Sequence, residues 1–193
     1  MRRTEVISTQ SSLGPIIAGI MGVFEANAAE LERLHDEAKH AYLLRSQSAA
    51  HMLAWEKACR AFHTSYDALA FPGGLAREFS LLAAGDETAI EMAVRFLEAN
   101  PRYFRSGYHK EDILRLLRKA PLADGQLSRL RELVLERVRG RPVREVRAFC
   151  RLAPKIANKE FAEELVQIAS TGNRVAVRQA QWAIQCIKSS QHG

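Results

Sequence analysis

"LRKAPL", Leu117–Leu122, returns 33 residues later as "CRLAPK", Cys150–Lys155. Both stretches carry R-x-A-P, and both follow an apolar run at helical spacing. Proline has no backbone N–H to give to a helix, so each stretch is read as a helix end. Other segments repeat at almost the same distance. "RELV" at 131–134 matches "EELV" at 163–166, an offset of 32, and "VRAFCRLAPKI" at 146–156 echoes "VRQAQWAIQCI" at 177–187, an offset of 31. Offsets this close predict a helix-turn-helix unit repeated in tandem. One such unit cannot bury its apolar faces alone, so the units must stack.

Composition agrees with an all-helical chain. Of the 193 residues 47% are hydrophobic and 26% charged, an ordinary balance for a folded globular protein. Aromatics are sparse, no run alternates apolar and polar residues for long, and Ala, Leu, Arg and Glu dominate. The length suits one sizeable domain or two small ones. Three cysteines, Cys59, Cys150 and Cys186, are odd in number, widely spaced and lack a CxxC pair. They are read as buried thiols in a reducing compartment, which points to the cytoplasm and to neither disulfide nor zinc.

Predicted helices in the repeated half are 75–84, 86–99, 111–119, 124–139, 143–153, 159–170 and 173–188. Asp86, Asp124, Asn158 and Asn173 stand near helix starts, where a side-chain oxygen can cap free N–H groups. Within the last of these, "NRVAVRQAQWAIQCI" resembles the second helix of a HEAT-like repeat, with Val177-Arg178, Ala180 and Ile184 at the places where that family puts Val-Arg, Ala and an aliphatic. The resemblance covers about residues 75–188. It implies a short α-solenoid of three to four helix pairs whose surface binds something. HEAT-like proteins are mostly scaffolds and adaptors, with one branch of DNA glycosylases whose catalytic motif has no counterpart in this chain.

The first 70 residues read differently. "LGPIIAGIMGVF", Leu13–Phe24, is apolar all round, with Arg2 and Arg3 ahead of it and "ANA" after it at 26–28. A secretory signal would fit that outline, but Glu5 and Glu25 oppose it, and twelve residues are too few to span a bilayer. A buried or partner-covered helix is expected, with Gly14, Ala18 and Gly22 forming a small-residue stripe; a membrane is not an expected partner. From Ala28 to Ala70 there is neither Gly nor Pro. Leu31, Leu34, Ala38, Ala41, Arg45, Ser48, Met52, Trp55, Cys59, Phe62, Tyr66 and Leu69 step by three and four, a heptad seam broken only by Arg45 and Ser48. The expectation is one continuous helix over 28–70, whose seam is covered by the stack or by self-association; the alternative is a reversal at "RSQS", 45–48. Glu37 and His40, like His51 and His63, flank the seam and are read as surface residues, not metal ligands. The chain thus divides into 1–70 and 71–193 at "FPGG".

Charge is unevenly spread. Residues 101–155 hold 15 Lys/Arg against 6 Asp/Glu, whereas residues 1–100 hold 9 against 13. Such a basic segment suits an acidic protein surface or nucleic acid, although an Arg-rich genome composition would also raise it. Two features within it are candidate sites. In "PRYFRSGYHK", 101–110, Arg102, Arg105 and Lys110 interleave with Tyr103, Phe104 and Tyr108; rings beside cations suit bases and phosphates or an acidic groove, or simply pack a loop. On "VREVRAFCRLA", Arg144, Arg147 and Arg151 fall opposite Val146, Phe149, Cys150 and Ala153, forming a ridge extended by Arg137, Arg139 and Arg141.

No GxSxG, HExxH, P-loop, dinucleotide turn or carboxylate-pair motif occurs. The sequence therefore points to a non-enzymatic, cofactor-free adaptor that holds an acidic protein partner through Arg102, Tyr103, Arg105, Tyr108, Lys110, Arg144, Arg147 and Arg151. The alternative is nucleic-acid binding by 101–155, and a weaker one is a HEAT-like base-processing enzyme.

Overall fold

A computed structural model describes the backbone of residues 13–191 and the side chains from Gly22 onward. Arg2, Arg3 and Glu5 lie outside the described residues, as do the side chains of Gly14 and Ala18. Among the described residues the chain is all-α, with nine helices and no strand. They are α1 (Leu13–Leu44), α2 (Ala49–Ala70), α3 (Leu75–Ala84), α4 (Glu87–Ala99), α5 (Ser106–Leu117), α6 (Asp124–Arg139), α7 (Val146–Ile156), α8 (Lys159–Thr171) and α9 (Arg174–Ser190).

The expected single helix over 28–70 is two helices. The chain reverses at 45–48, and α2 packs back along α1. Neither Gly nor Pro is needed for this turn, because polar side chains finish both helix ends. Ser48 is extended (φ −162°, ψ 164°) and its hydroxyl accepts from His51 N–H, capping α2. Arg45 donates to the Tyr42 carbonyl at 2.6 Å and lies over the Tyr42 ring, closing α1. The two residues that break the heptad seam are thus those that turn the chain. Half of the seam now faces the other half, and Leu31, Leu34 and Phe62 are buried within the chain. At the far end no third element among the described residues covers the hairpin. Leu43 and Leu53 stay 68% and 69% exposed, with Tyr42, Leu44 and Met52 beside them. A Cβ built on Gly22 would meet nothing within 4 Å among the described residues, so no close approach there requires a glycine.

"FPGG" ends α2 as expected. Gly73 and Gly74 have φ of +91° and +89°, a region closed to most side chains, and Asp67 accepts from Leu75 N–H to start α3. From here helices alternate between two layers. α3, α5, α7 and α9 lie side by side in one, and α4, α6 and α8 in the other. Asp86, Asn158 and Asn173 cap α4, α8 and α9 through hydrogen bonds to Ala89, Phe161 and Ala176. Asp124 does not cap: it is already inside α6, and the free Ala123 N–H is met by Gln126 Oε1 instead.

The core is one cluster from Phe24 to Ala183. Phe24 of α1 meets Phe71 and Phe96 edge-on, with centroids 5.8 and 5.3 Å apart, which seats the hairpin root against the stack. The first R-x-A-P follows α5, as the repeat predicts. In the second, Pro154 lies inside α7, which runs on to Ile156. Proline's fixed φ suits a helix, and in the last turn its missing N–H costs a single hydrogen bond.

Candidate functional site

Helices α5 and α7 pack against each other in one layer. Arg118, from the first R-x-A-P, and Arg151, from the second, line the same groove between α5 and α7, about 290 Å³ in volume, with Arg115, Arg144 and Arg147 around them. A second depression, of about 680 Å³, continues from Arg118 and Arg151 past Lys155 to Gln185, Ser189 and Ser190 of α9. A third, of about 320 Å³, lies between α7 and α9 and is lined by Arg147, Cys150, Arg151, Trp182, Gln185 and Cys186. Arg151 borders all three.

The charges on this face are not evenly matched. Arg144 pairs with Glu111 at 3.2 Å and Arg115 with Asp112 at 3.0 Å, at one end of the first groove. Among the described residues the side chains of Arg118, Arg151 and Lys155 have neither an ion pair nor a hydrogen bond. The aromatic rings here are already covered. Arg144 lies 3.7 Å over the Tyr108 ring, with Arg105 at 5.4 Å, and Arg147 and Arg178 approach the Trp182 ring at 4.7 and 5.3 Å. A guanidinium held over a ring keeps its in-plane N–H groups free to donate.

The eight residues expected to meet a partner therefore separate. Arg144, Arg147 and Arg151 share the groove, and Tyr108 joins them through Arg144. Arg102 and Arg105 are exposed beside it, and Arg105 adopts φ +71° at the start of α5. Tyr103 and Lys110 are corrections. Tyr103 is 6% exposed, and its hydroxyl contacts the Ala70 carbonyl and His109 Nδ1, both at 2.9 Å. That bond pins the linker to the end of α2, and burial pushes the phenol's pKa up. Lys110 is 3% exposed, donates to Asn100 Oδ1 at 2.7 Å and lies 3.8 Å from Glu145. Burial lowers its pKa to about 8, against the attraction of Glu145. Neither can reach a partner. Lys110 is buried because the second half of the linker is the first turn of α5, facing inward, and Tyr103, just before that helix, is turned inward by its bond to the end of α2. Phe104 likewise stacks on His35 at 4.6 Å and meets Phe62.

The proposed extension of the ridge also falls elsewhere. Arg137 is largely covered beside Phe149, and Arg139 pairs with Glu164 of α8 on the far side of α7. Arg115, Arg118, Lys155 and Trp182 were missed as site residues, although the 33-residue offset itself aligns Arg118 with Arg151. Of the thiols, Cys150 is buried and its pKa is pushed up to about 12 by that burial, whereas Cys59 and Cys186 are half-buried, less covered than their spacing suggested. Among the described residues no group of three His, Cys, Asp or Glu converges as a metal site, and no helix is long and apolar enough to cross a membrane.

No family model, curated protein or solved structure matches this chain.

Proposed function

We propose that the chain is a non-enzymatic, cytoplasmic helical-repeat adaptor whose α5–α7–α9 face holds an acidic protein partner. The observation that carries this is Arg118 beside Arg151, two exposed guanidinium groups lining one groove without a counter-charge of their own. Arginine meets carboxylates bidentately, and two such groups on adjacent helices offer a fixed spacing. The alternating layers of α3–α9 support the HEAT-like reading, since such stacks present one helix layer as a continuous surface.

Two observations favour protein over nucleic acid. Glu111 and Asp112 interrupt the positive strip at one end; a nucleic-acid backbone needs a continuous strip, whereas a protein site tolerates the interruption. Arginines already lie against the Tyr108 and Trp182 rings, so a stacking base would have to compete with them for a ring face. A salt series checks this with the full chain and the Arg144→Glu, Arg147→Glu, Arg151→Glu variant, using polyglutamate and a (dT)20 strand as probes. The chain is expected to bind polyglutamate, to lose it in the variant, and to bind the strand weakly whether or not Tyr108 is alanine. Tyrosine-dependent strand binding that falls about a thousandfold from 50 to 200 mM salt, as six phosphate contacts would give, makes this a nucleic-acid face instead.

A further inference from the structure

The three depressions around Arg151 differ in chemistry, and the difference specifies a ligand. The arm toward Arg118 and Lys155 is cationic, with Gln185, Ser189 and Ser190 opposite. The arm toward α9 is more apolar: Trp182, Cys150 and Cys186 line it beside Arg147, Arg151 and Gln185. Among the described residues no acidic side chain lines either arm. A purely acidic ligand would fill the first arm and leave the second to water. A purely apolar one would leave Arg118 and Arg151 unanswered.

We propose that this face recognises a short peptide segment in which carboxylate side chains are followed by one large apolar residue, the carboxylates across Arg118 and Arg151 and the apolar side chain in the Trp182 arm. The inference rests on the acidic-partner reading above and adds the anchor. Charge complementarity selects the occupant: four cations, Arg118, Arg147, Arg151 and Lys155, surround the junction and have no carboxylate partner among the described residues. The stacks of Arg147 and Arg178 on Trp182 hold two guanidinium groups in place before the ligand arrives, which lowers the ordering cost of binding. The apolar arm, at about 320 Å³, has room for a phenylalanine or leucine side chain.

The test uses the intact protein and three labelled probes in anisotropy titrations: a dodecapeptide of Asp and Glu with one central Phe, the same peptide with Ser for Phe, and (dT)12. Alkylation of Cys186, with Cys59 on α2 as internal reference, is followed in parallel, because Cys186 lies in the groove. The Phe peptide is expected to bind at least tenfold more tightly than the Ser peptide, as burial of a Phe side chain gives about ten- to a hundredfold. It should slow Cys186 labelling relative to Cys59, and the Arg118→Gln, Arg151→Gln variant should lose both effects. Equal affinity for the two peptides overturns the anchor but leaves the acidic-partner reading standing. Binding without protection of Cys186 overturns the location. Tighter binding of (dT)12, or no binding of either peptide, overturns both readings together.

Discussion

The hairpin of α1 and α2 and the stack of α3–α9 are built from equally regular apolar spacing, yet they bury it to different extents. In the stack every helix has neighbours in its own layer and in the other, and core positions such as Phe149, Leu152 and Leu165 are 1% exposed or less. Among the described residues the rest of the chain covers the hairpin near its root, where Phe104 also stacks on His35, while Leu43 and Leu53 toward the tip stay more than two-thirds exposed. Buried polar groups divide the same way. Among the described residues Ser106, Lys110, Gln126, Glu145 and Gln179 are buried, all in the stack. Gln179 donates to the carbonyls of Val138 and Gly140, bolting α9 to the end of α6. Periodicity shows which face of a helix is apolar; it does not show what, if anything, lies over it.

The strongest test of this contrast compares Phe149→Ala with Phe62→Ala. Both rings are largely buried, at 1% and 7% exposure, so each truncation is expected to cost about 3–5 kcal/mol in urea unfolding. A loss at Phe62 below about 1 kcal/mol would show that the hairpin root is not docked on the stack.

A second test addresses the polar bolts. Lys110 is buried, and its folded-state pKa of about 8 lies below the ordinary 10.5. Below about pH 8 both folded and unfolded chains carry the proton; between about 8 and 10.5 the unfolded chain holds it more. Raising pH through that window therefore favours the folded state, by up to about 3 kcal/mol relative to a Lys110→Met variant. The variant comparison removes the opposing contributions of Tyr103 and Cys150, whose raised pKa values act against stability as pH climbs. If the two proteins give parallel profiles from pH 7 to 10, Lys110 is hydrated.

These cases also mark what could be read in advance. The seven helices after Ala70 were legible to within a few residues, except at α5, because capping residues and R-x-A-P punctuate them. The reversal at 45–48 was not, because Ser48 and Arg45 act through hydrogen bonds that leave no Gly or Pro in the sequence. Likewise Arg144, Arg147 and Arg151 were visible as a face of one helix, but Trp182 and Arg118 reach them across helix–helix packing. Tyr103 and Lys110 misled for the same reason: a linker with cations between rings reads as a surface until packing turns Lys110, in the first turn of α5, and Tyr103, bonded to the end of α2, inward.

A third test probes the contact between α4 and α6. Arg129 donates to Glu98 at 2.7 and 2.6 Å and to Glu91 at 2.9 Å. These groups are about a third exposed, so Arg129→Ala is expected to cost only about 1–2 kcal/mol. Burial alone would raise the Glu91 pKa, but hydrogen bonds from Arg95, Arg129 and Gln126 outweigh it and hold it below the usual carboxylate value. That contribution is present above the ordinary carboxylate pKa of about 4.5 and is lost as pH falls through the lower folded value. The variant should be less acid-sensitive than the unaltered protein. Equal sensitivity would show the pair to be solvated.

The smallest effect is expected at the hairpin tip, where it decides most. Leu43 and Leu53 are more than two-thirds exposed, so Leu43→Ala and Leu53→Ala should each change stability by less than about 0.5 kcal/mol. That holds if the tip is bare in solution. Leu31, Leu34 and Phe62 of the 31–69 seam are covered from within, so self-association of the hairpin would use this patch beside the seam. A dimer that binds only the folded state would raise Tm with protein concentration, and the same two substitutions would then cost well over 1 kcal/mol and abolish that dependence. Unfolding at two protein concentrations a hundredfold apart, on the chain and both variants, separates the cases. A concentration-independent Tm with small losses leaves the hairpin a single-layer arm. A shifting Tm that Leu53→Ala flattens makes its tip the place where two copies meet.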